Sequence, residues 1–423
     1  MRLPVVAVAP EIRDALARGH PWIYRNQIVP LHARGSPPQY ASGAWVKVLC
    51  GKFEGYGLWD AQGAIAVRLF SVRTFPDDRW LAERVRDAWA LRAPLRAQEA
   101  TTTAYRWVYG ESDSLPGIVV DLYGEYAAVH LYASSVAVLL DPLIAALTAV
   151  TPLKGVVLRR RGSGSIAERD EEGATPREGV APKEGAPREG VAPKTETIWG
   201  RPPPRDLAVE ENGLRFYANL LEGQKTGLFL DQRENRLTLQ PWCRGQRVLN
   251  CFSYTGAFSL YAVRGGATTV TSLDIAPQSA GEAERNFRLN GLDPAPHEFR
   301  VGDCFSWLEG CAQGAQRYGL VILDPPSLAR EKASRYTALR AYTRLNRLAL
   351  GCLEPGGLLA SASCTSQVSP EMFREALAAA AAQAGVRLTI LHEAGHALDH
   401  PVPAHFPEAR YLKFVLAKVG AIV

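Results

Sequence analysis

The stretch "RVLNCFSYTGAFSLYA" (247–262) decides how this chain is read. A short apolar run through Phe252 breaks at the polar turn Ser253 to Gly256, and a helical pattern follows. Strand, tight turn and helix form the opening unit of a parallel sheet. Gly256 at the helix start lets backbone approach a ligand closely.

From residue 206 onward the rhythm repeats. The runs "TVTSLD", "HEFRVGD", "LVILDPP" and "GLLASAS" are each followed by a helical segment, and "RLTILHEA" and "YLKFVLAKV" come last. Five apolar strands alternating with helices predict an α/β, doubly wound parallel sheet, with the last two strands closing one edge. Ligands of such sheets bind at the carboxyl ends of the strands.

Two further regions precede this one. Residues 1–75 carry the alternating runs "AWVKVLC", "YGLWD" and "AIAVRLF", broken by Gly51, Gly55 and Gly63, which is the pattern of a small β-barrel. They hold nine basic and four acidic side chains, a local excess of five that accounts for the whole net charge of +5. A small basic domain on a neutral body suits a polyanionic partner.

Residues 76–205 open with a helix over 77–95 that places Leu81, Val85, Ala88 and Trp89 on one face. The runs "GIVVDLYG" and "EYAAVHLYA", a helix from about Val136 to Ala149 and the strand "GVVLRRR" then predict a small α+β layer. Between 163 and 205 the pattern gives way to a charged Pro/Gly repeat, with P-R-E-G-V-A-P-K at 176–183 and again at 187–194. Such a composition cannot offset its ordering entropy and reads as a disordered insertion.

Composition sets the outer bounds. At 423 residues and 47% hydrophobic, the chain supports several cores, and its apolar runs fall short of the roughly 20 residues a bilayer span needs. An acidic residue arrives too early for a signal peptide, so a cytoplasmic protein is expected. Seven cysteines without regular spacing or any C-x-x-C argue against a disulfide framework or zinc finger. Cys50, Cys251, Cys304 and Cys352 lie among apolar or glycine-rich neighbours and read as small buried hydrophobes.

The candidate site is the set of strand ends. The first contributes Asn250, Phe252, Ser253, Tyr254, Thr255 and Gly256, and the second contributes Asp274, 18 residues beyond Gly256, where a carboxylate can accept both ribose hydroxyls. Asp303 and Asp324 end the third and fourth. One glycine is a poor dinucleotide fingerprint, which points to a ligand without a pyrophosphate; an adenosine ligand with acids at the second and third strand ends and Asp-Pro-Pro at the fourth resembles S-adenosylmethionine in a class I methyltransferase.

The motifs "LLEGQKTGLFLDQRENR" (220–236), "VLNCFSYTGAFSLYA", "LDPPS", "SCTS" and "DHPV…FPEARYLK" occur in this order. Together they resemble the bacterial ribosomal RNA large-subunit cytosine-5 methyltransferases, built from a PUA domain, a small central domain and a Rossmann-like methyltransferase domain. "GHPWIYRNQI" is similar to the PUA part and "YGESDSLPGIVVD" to the central part. The resemblance spans nearly everything outside 163–205. It implies domains at 1–75, 76–205 and 206–423, S-adenosylmethionine as cofactor, and 23S ribosomal RNA or a large-subunit assembly intermediate as partner. A homodimer is also expected, with no membrane and no metal.

The resemblance also assigns roles. Cytosine C5 is a poor nucleophile, and these enzymes add a thiolate to C6 to activate it; Cys364 matches the position of that cysteine. Asp324 matches the acid that hydrogen-bonds or protonates N3. Asp231, Gln232 and Arg233 fall in the segment placed against the cofactor's methionine end, although a capped helix start would look the same. Ser327 stands where many RNA cytosine-5 enzymes carry a second cysteine, and Leu328 where the family commonly has Phe, so the C5-proton base is unassigned.

Three other readings compete. The methyl group could go to another RNA base, or the chain could be a non-catalytic RNA-binding protein. Residues 392–396, "HEAGH", also satisfy the H-E-x-x-H pattern of a zinc peptidase. However, "VRLTILHEA" alternates like a strand, which spaces residues four apart too widely to share one zinc ion.

Overall fold

The computed structural model describes residues 3–31, 38–97, 101–160, 194–221, 226–328 and 335–421. The N-terminal sheet contains β1 (Val5–Val8), β2 (Trp22–Tyr24), β3 (Ile28–Val29), β4 (Trp45–Cys50), β5 (Phe53–Trp59) and β6 (Ile65–Val72) in the order β2-β6-β5-β4-β1-β3. Val6, Val46, Val48 and Val67 form its sealed interior. Leu58 on β5 and Phe70 on β6 pack instead into the next core, so the two strands serve both.

Helix α1 (Asp78–Leu91) joins these layers, with the Asp77 carboxylate accepting from the Trp80 N–H as its cap. Leu81, Val85 and Ala88 are buried on one face, and Trp89 packs partly exposed beside them. The central sheet runs β11-β10-β9-β8-β7, from β7 (Ala104–Tyr109), β8 (Ile118–Tyr123), β9 (Tyr126–Leu131), β10 (Gly155–Arg160) and β11 (Lys194–Gly200). Helix α2 (Leu140–Val150) buries Leu143, Ala146 and Leu147.

Strand β11 corrects the expectation of an insertion running to 205. Residues 194–200 pair antiparallel with β10, and Ile198 packs against the central core. The β-branched and aromatic run "TETIW" carries the strand, and its partner lies far back in the sequence. The disorder expected for the repeat falls on 161–193, outside the described residues.

A hairpin absent from the sequence reading follows. Strands β12 (Leu207–Glu211) and β13 (Leu214–Ala218) turn at Asn212-Gly213, both at positive φ (50° and 78°), as a two-residue hairpin loop requires. It ties the central sheet to the third region: the Thr103 N–H donates to the Glu210 carbonyl and the Asn212 N–H to the Thr102 hydroxyl.

The third region begins with α3 (Arg233–Leu239) and alternates as expected: β14 (Arg247–Cys251), α4 (Ala257–Arg264), β15 (Thr269–Asp274), α5 (Ser279–Leu289), β16 (Glu298–Val301), α6 (Cys304–Gln313), β17 (Tyr318–Leu323), α7 (Arg335–Gly351), β18 (Leu353–Ser363), α8 (Pro370–Ala384), β19 (Val386–Ala394) and β20 (Lys413–Ala421). The sheet order is β16-β15-β14-β17-β18-β20-β19, with the first five strands parallel and β20 antiparallel to both of its neighbours, β18 and β19. All six residues of β17 are buried, as a strand covered on both faces demands. Strand order reverses between β14 and β17, and that switch point is where a ligand crevice opens.

Candidate active site

A cleft of about 2250 Å³ lies at this switch point. Trp22, Tyr24 and Arg68 line it from the barrel, Tyr109, His130 and Arg159 from the central sheet, and the ends of β14 to β18 form its floor. All three regions of the chain meet there.

The β14 and β15 ends form one half. Phe252, Tyr254 and Gly256 all have positive φ (60°, 48° and 80°). For bulky side chains this costs about 1–3 kcal/mol each and persists only where surroundings enforce it. The enforcement is a ring of hydrogen bonds. The Ser253 N–H donates to the Leu273 carbonyl (3.0 Å) and the Tyr254 N–H to Asp274 Oδ2 (2.9 Å). The Gly256 N–H donates to the Ser253 carbonyl (2.9 Å), and the Thr255 hydroxyl to the Gly227 carbonyl (2.6 Å). A Cβ on Gly256 would meet the Ala283 Cβ at 2.8 Å, so the close approach that glycine permits is made to α5.

With these amides bonded inward and the Phe252 N–H directed at Cys304 Sγ (3.3 Å), little of an anion nest remains for a pyrophosphate. An uncharged ribose suits the site. Asp274 accepts from Tyr254 and, through Oδ1, from the Ala276 N–H (2.9 Å), which leaves lone pairs for two hydroxyls. Ile275, 68% exposed at the cleft's lip, offers an apolar surface for a purine. The donor set therefore fits the nucleoside part of S-adenosylmethionine.

The β17 and β18 ends form the other half. Asp324 follows β17, and its Oδ1 accepts from Gln232 Nε2 (2.9 Å), while Gln232 Oε1 accepts from Asn235 (2.7 Å). An amide chain thus fixes the carboxylate. Cys364 follows β18, and its Sγ lies 3.8 Å from the Pro325 carbonyl, next to Asp324 in the chain. Cys364 is half-buried and lines the cleft; the other six cysteines are buried. Thr365 beside it accepts from the Leu328 N–H (3.2 Å) and pairs with the Tyr342 hydroxyl (2.7 Å), which burial pushes up to about 12.

Most sequence candidates converge here: Phe252, Tyr254, Thr255, Asp274, Asp303, Asp324, Asp231, Gln232 and Cys364 all line the cleft. Asp303 also caps α6, accepting from the Ser306 N–H. Four candidates do not line it. Asn250 is 1% exposed and donates to the Ser259 hydroxyl, in a buried polar chain that continues to Ser272. Ser253 and Gly256 shape the turn from behind. Arg233 is 1% exposed and pairs through both terminal nitrogens with Asp399, whose Oδ2 also accepts from the Arg106 N–H (2.7 Å). It joins the central sheet to the third region and does not line the cleft.

Sequence reading missed Lys413, at the start of β20 and directly across from Ser363. It is 4% exposed, and its Nζ donates to the carbonyls of Thr365 (2.6 Å) and Tyr411 (2.8 Å). The Tyr411 hydroxyl in turn donates to Asp231 Oδ2 (2.6 Å).

The H-E-x-x-H stretch lies where its alternation placed it, with His392 and Glu393 in β19. Glu393 is exposed and pairs with Arg374, whereas His396 Nε2 accepts from the N–H groups of Tyr411 and Leu412. Burial, with His400 nearby, pulls the His396 ring down to about 3. Among the described residues, no group of three His, Cys, Asp or Glu side chains could hold a metal ion, and no helix is long and apolar enough to cross a membrane.

The chain's likenesses fit this geometry. Residues 192–394 match the S-adenosylmethionine-dependent methyltransferase family and residues 6–72 the PUA-like domain. A ribosomal RNA large subunit methyltransferase of Deinococcus radiodurans is 40% identical over 414 residues, covering 96% of this chain and 94% of that protein. Ribosomal RNA large subunit methyltransferase I of Shewanella denitrificans is 31% identical over 416 residues, covering 98% and 99%. A SAM-dependent methyltransferase structure from Streptococcus mutans superposes with a TM-score of 0.79 at 23% identity, covering 98% of this chain and all of that one, which establishes the shared fold. With a Rossmann-like domain, a PUA-like barrel and a nucleoside-shaped crevice in place, the chain belongs to the S-adenosylmethionine-dependent ribosomal RNA large subunit methyltransferases.

Proposed function

We propose that this protein methylates C5 of a cytidine in 23S ribosomal RNA, using Cys364 as nucleophile. One observation carries the reading: the half-buried cysteine sits at a strand end beside Asp324 in the cleft, while the other six are buried.

The bound cofactor supplies an electrophilic methyl group on a sulfonium. Asp274 would hold its ribose, and Asp231 and the Gln232 region its methionine end. Cys364 adds as thiolate to cytosine C6, forming a C–S bond and turning C5 into an enamine carbon. Asp324, oriented by Gln232, hydrogen-bonds or protonates N3, so that charge is withdrawn from the ring as sulfur attacks. C5 takes the methyl group, its proton leaves, and the C–S bond breaks to restore aromaticity and the thiolate. Serine would be too weakly acidic to serve as well.

Reaching a cytosine requires taking it out of its stack. Trp22 and Tyr24 on the barrel face the same cleft as Cys364, so the PUA-like region is suited to grip RNA beside the extruded base. We assign residues 1–75 to this RNA-binding role and 206–423 to catalysis.

Nucleoside analysis of ribosomal RNA incubated with the protein and cofactor tests the proposal. New 5-methylcytidine, lost in Cys364→Ala with cofactor binding retained, is the expected result. A methyl group on any other base, or full turnover by that variant, would refute it.

A further inference from the structure

Lys413 is a buried lysine without a carboxylate partner among the described residues. Its ammonium donates to the carbonyls of Thr365 and Tyr411, and a lysine has a third N–H to place. Lys413 pairs through its backbone with Ser363 in the β18–β20 ladder, and its head bonds the carbonyl of Thr365, so the residue holds the chain just before Cys364 and just after it. Burial pulls the ammonium down to about 8, and the opposing attraction comes from Cys364. It is therefore charged at neutral pH.

A buried cation normally requires an anion. The other charged and titratable groups around the pair do not supply one. Arg410 adds a second positive charge, and Tyr342, from α7, is pushed up by burial. Tyr411 offers Lys413 only its carbonyl and gives its hydroxyl to Asp231. Asp324 accepts from the neutral Gln232 amide and keeps its charge, but the attraction felt by Lys413 is that of Cys364.

We propose that Lys413 is the positioning residue for Cys364: its ammonium clamps the strand end and holds the sulfur as thiolate. The inference rests on the nucleophile role given above. The backbone bonds fix where the sulfur sits, and the charge fixes its ionisation. A neutral side chain of similar length would keep the packing and lose both.

The test is alkylation of the native full-length protein by iodoacetamide across a pH series, read by mass spectrometry on the Cys364 peptide; burial protects the other six thiols. The wild-type rate should rise with a midpoint below that of an ordinary thiol, about 8.5. Lys413→Met should move the midpoint up and slow alkylation at pH 7 about tenfold, the effect of one pKa unit. Lys413→Arg should recover most of that loss, with cofactor affinity and melting temperature confirming that each variant is folded.

Identical profiles for wild type and Lys413→Met would overturn the proposal. Should the Met variant fail to fold, a wild-type midpoint at or above that of an ordinary thiol does the same. Because alkylation needs no RNA, this result is independent of turnover. Active Cys364→Ala would defeat the nucleophile reading instead, whatever the alkylation profile.

Discussion

Cys251 and Cys364 stand at the carboxyl ends of two parallel strands in one sheet, β14 and β18, yet the chain treats them in opposite ways. Cys251 is fully enclosed with Leu249, Leu273 and Leu308, and burial, together with the neighbouring Cys304, holds its thiol well above the usual range. Cys364 opens onto the cleft, and the Lys413 ammonium bonds the carbonyl of the next residue, Thr365. Residue type and strand position are shared. What differs is the dielectric and the nearest charge, and under the proposed mechanism these separate a thiol that fills space from one that reacts.

Alanine at each position separates the two most sharply. Cys364→Ala should cut methyl transfer about a thousandfold or more, as removing a covalent nucleophile does, and leave cofactor affinity within about twofold. Cys251→Ala should keep turnover and cost only about 1 kcal/mol of stability in a urea melt. Reversed phenotypes would break the comparison.

The acid on the reactive side comes next. Asp324→Asn keeps the shape and removes the carboxyl that the proposal places at N3, so kcat should fall about a hundredfold with little change in melting temperature. A smaller effect belongs to the β14 side. Gly256→Ala places a Cβ against Ala283 at a φ of 80°, and strain of about 1–2 kcal/mol should weaken cofactor binding about tenfold by calorimetry. The smallest is none at all: chelator treatment should change neither turnover nor the alkylation rate of Cys364. Faster alkylation after chelation would mean that the sulfur had been a metal ligand.

The strand ends were legible because buried parallel strands are written as continuous apolar runs and the polar residue after each run marks its exit. That logic places Asp274, Asp303, Asp324 and Cys364 in one cleft without any tertiary information. It fails a residue or two away. Asn250, two positions before Phe252 and still within β14, is turned toward Ser259, and Arg233 follows Gln232 but reaches Asp399, 166 positions away. Short-range spacing does not report which neighbour a side chain meets.

Lys413 was illegible for the same reason, since its meaning lies in a cross-strand register with Ser363. Strand β11 was hidden because its partner β10 precedes a long charged repeat. The β12–β13 hairpin has a local signal, its Asn212-Gly213 turn, but its strands are only five residues each. By contrast, the strand period of "VRLTILHEA" correctly separated His392 from the helical setting a peptidase zinc site needs.

The most direct measurement replaces the target cytidine with 5-fluorocytidine in an RNA substrate, incubated with protein and cofactor. Fluorine at C5 cannot leave as a proton does, so the thiolate cannot be expelled once the methyl group has moved. A denaturation-resistant protein–RNA adduct mapping to Cys364, retained in Cys251→Ala and absent from Cys364→Ala, is the predicted result. Methylation without an adduct, or an adduct on any other residue, would contradict the account.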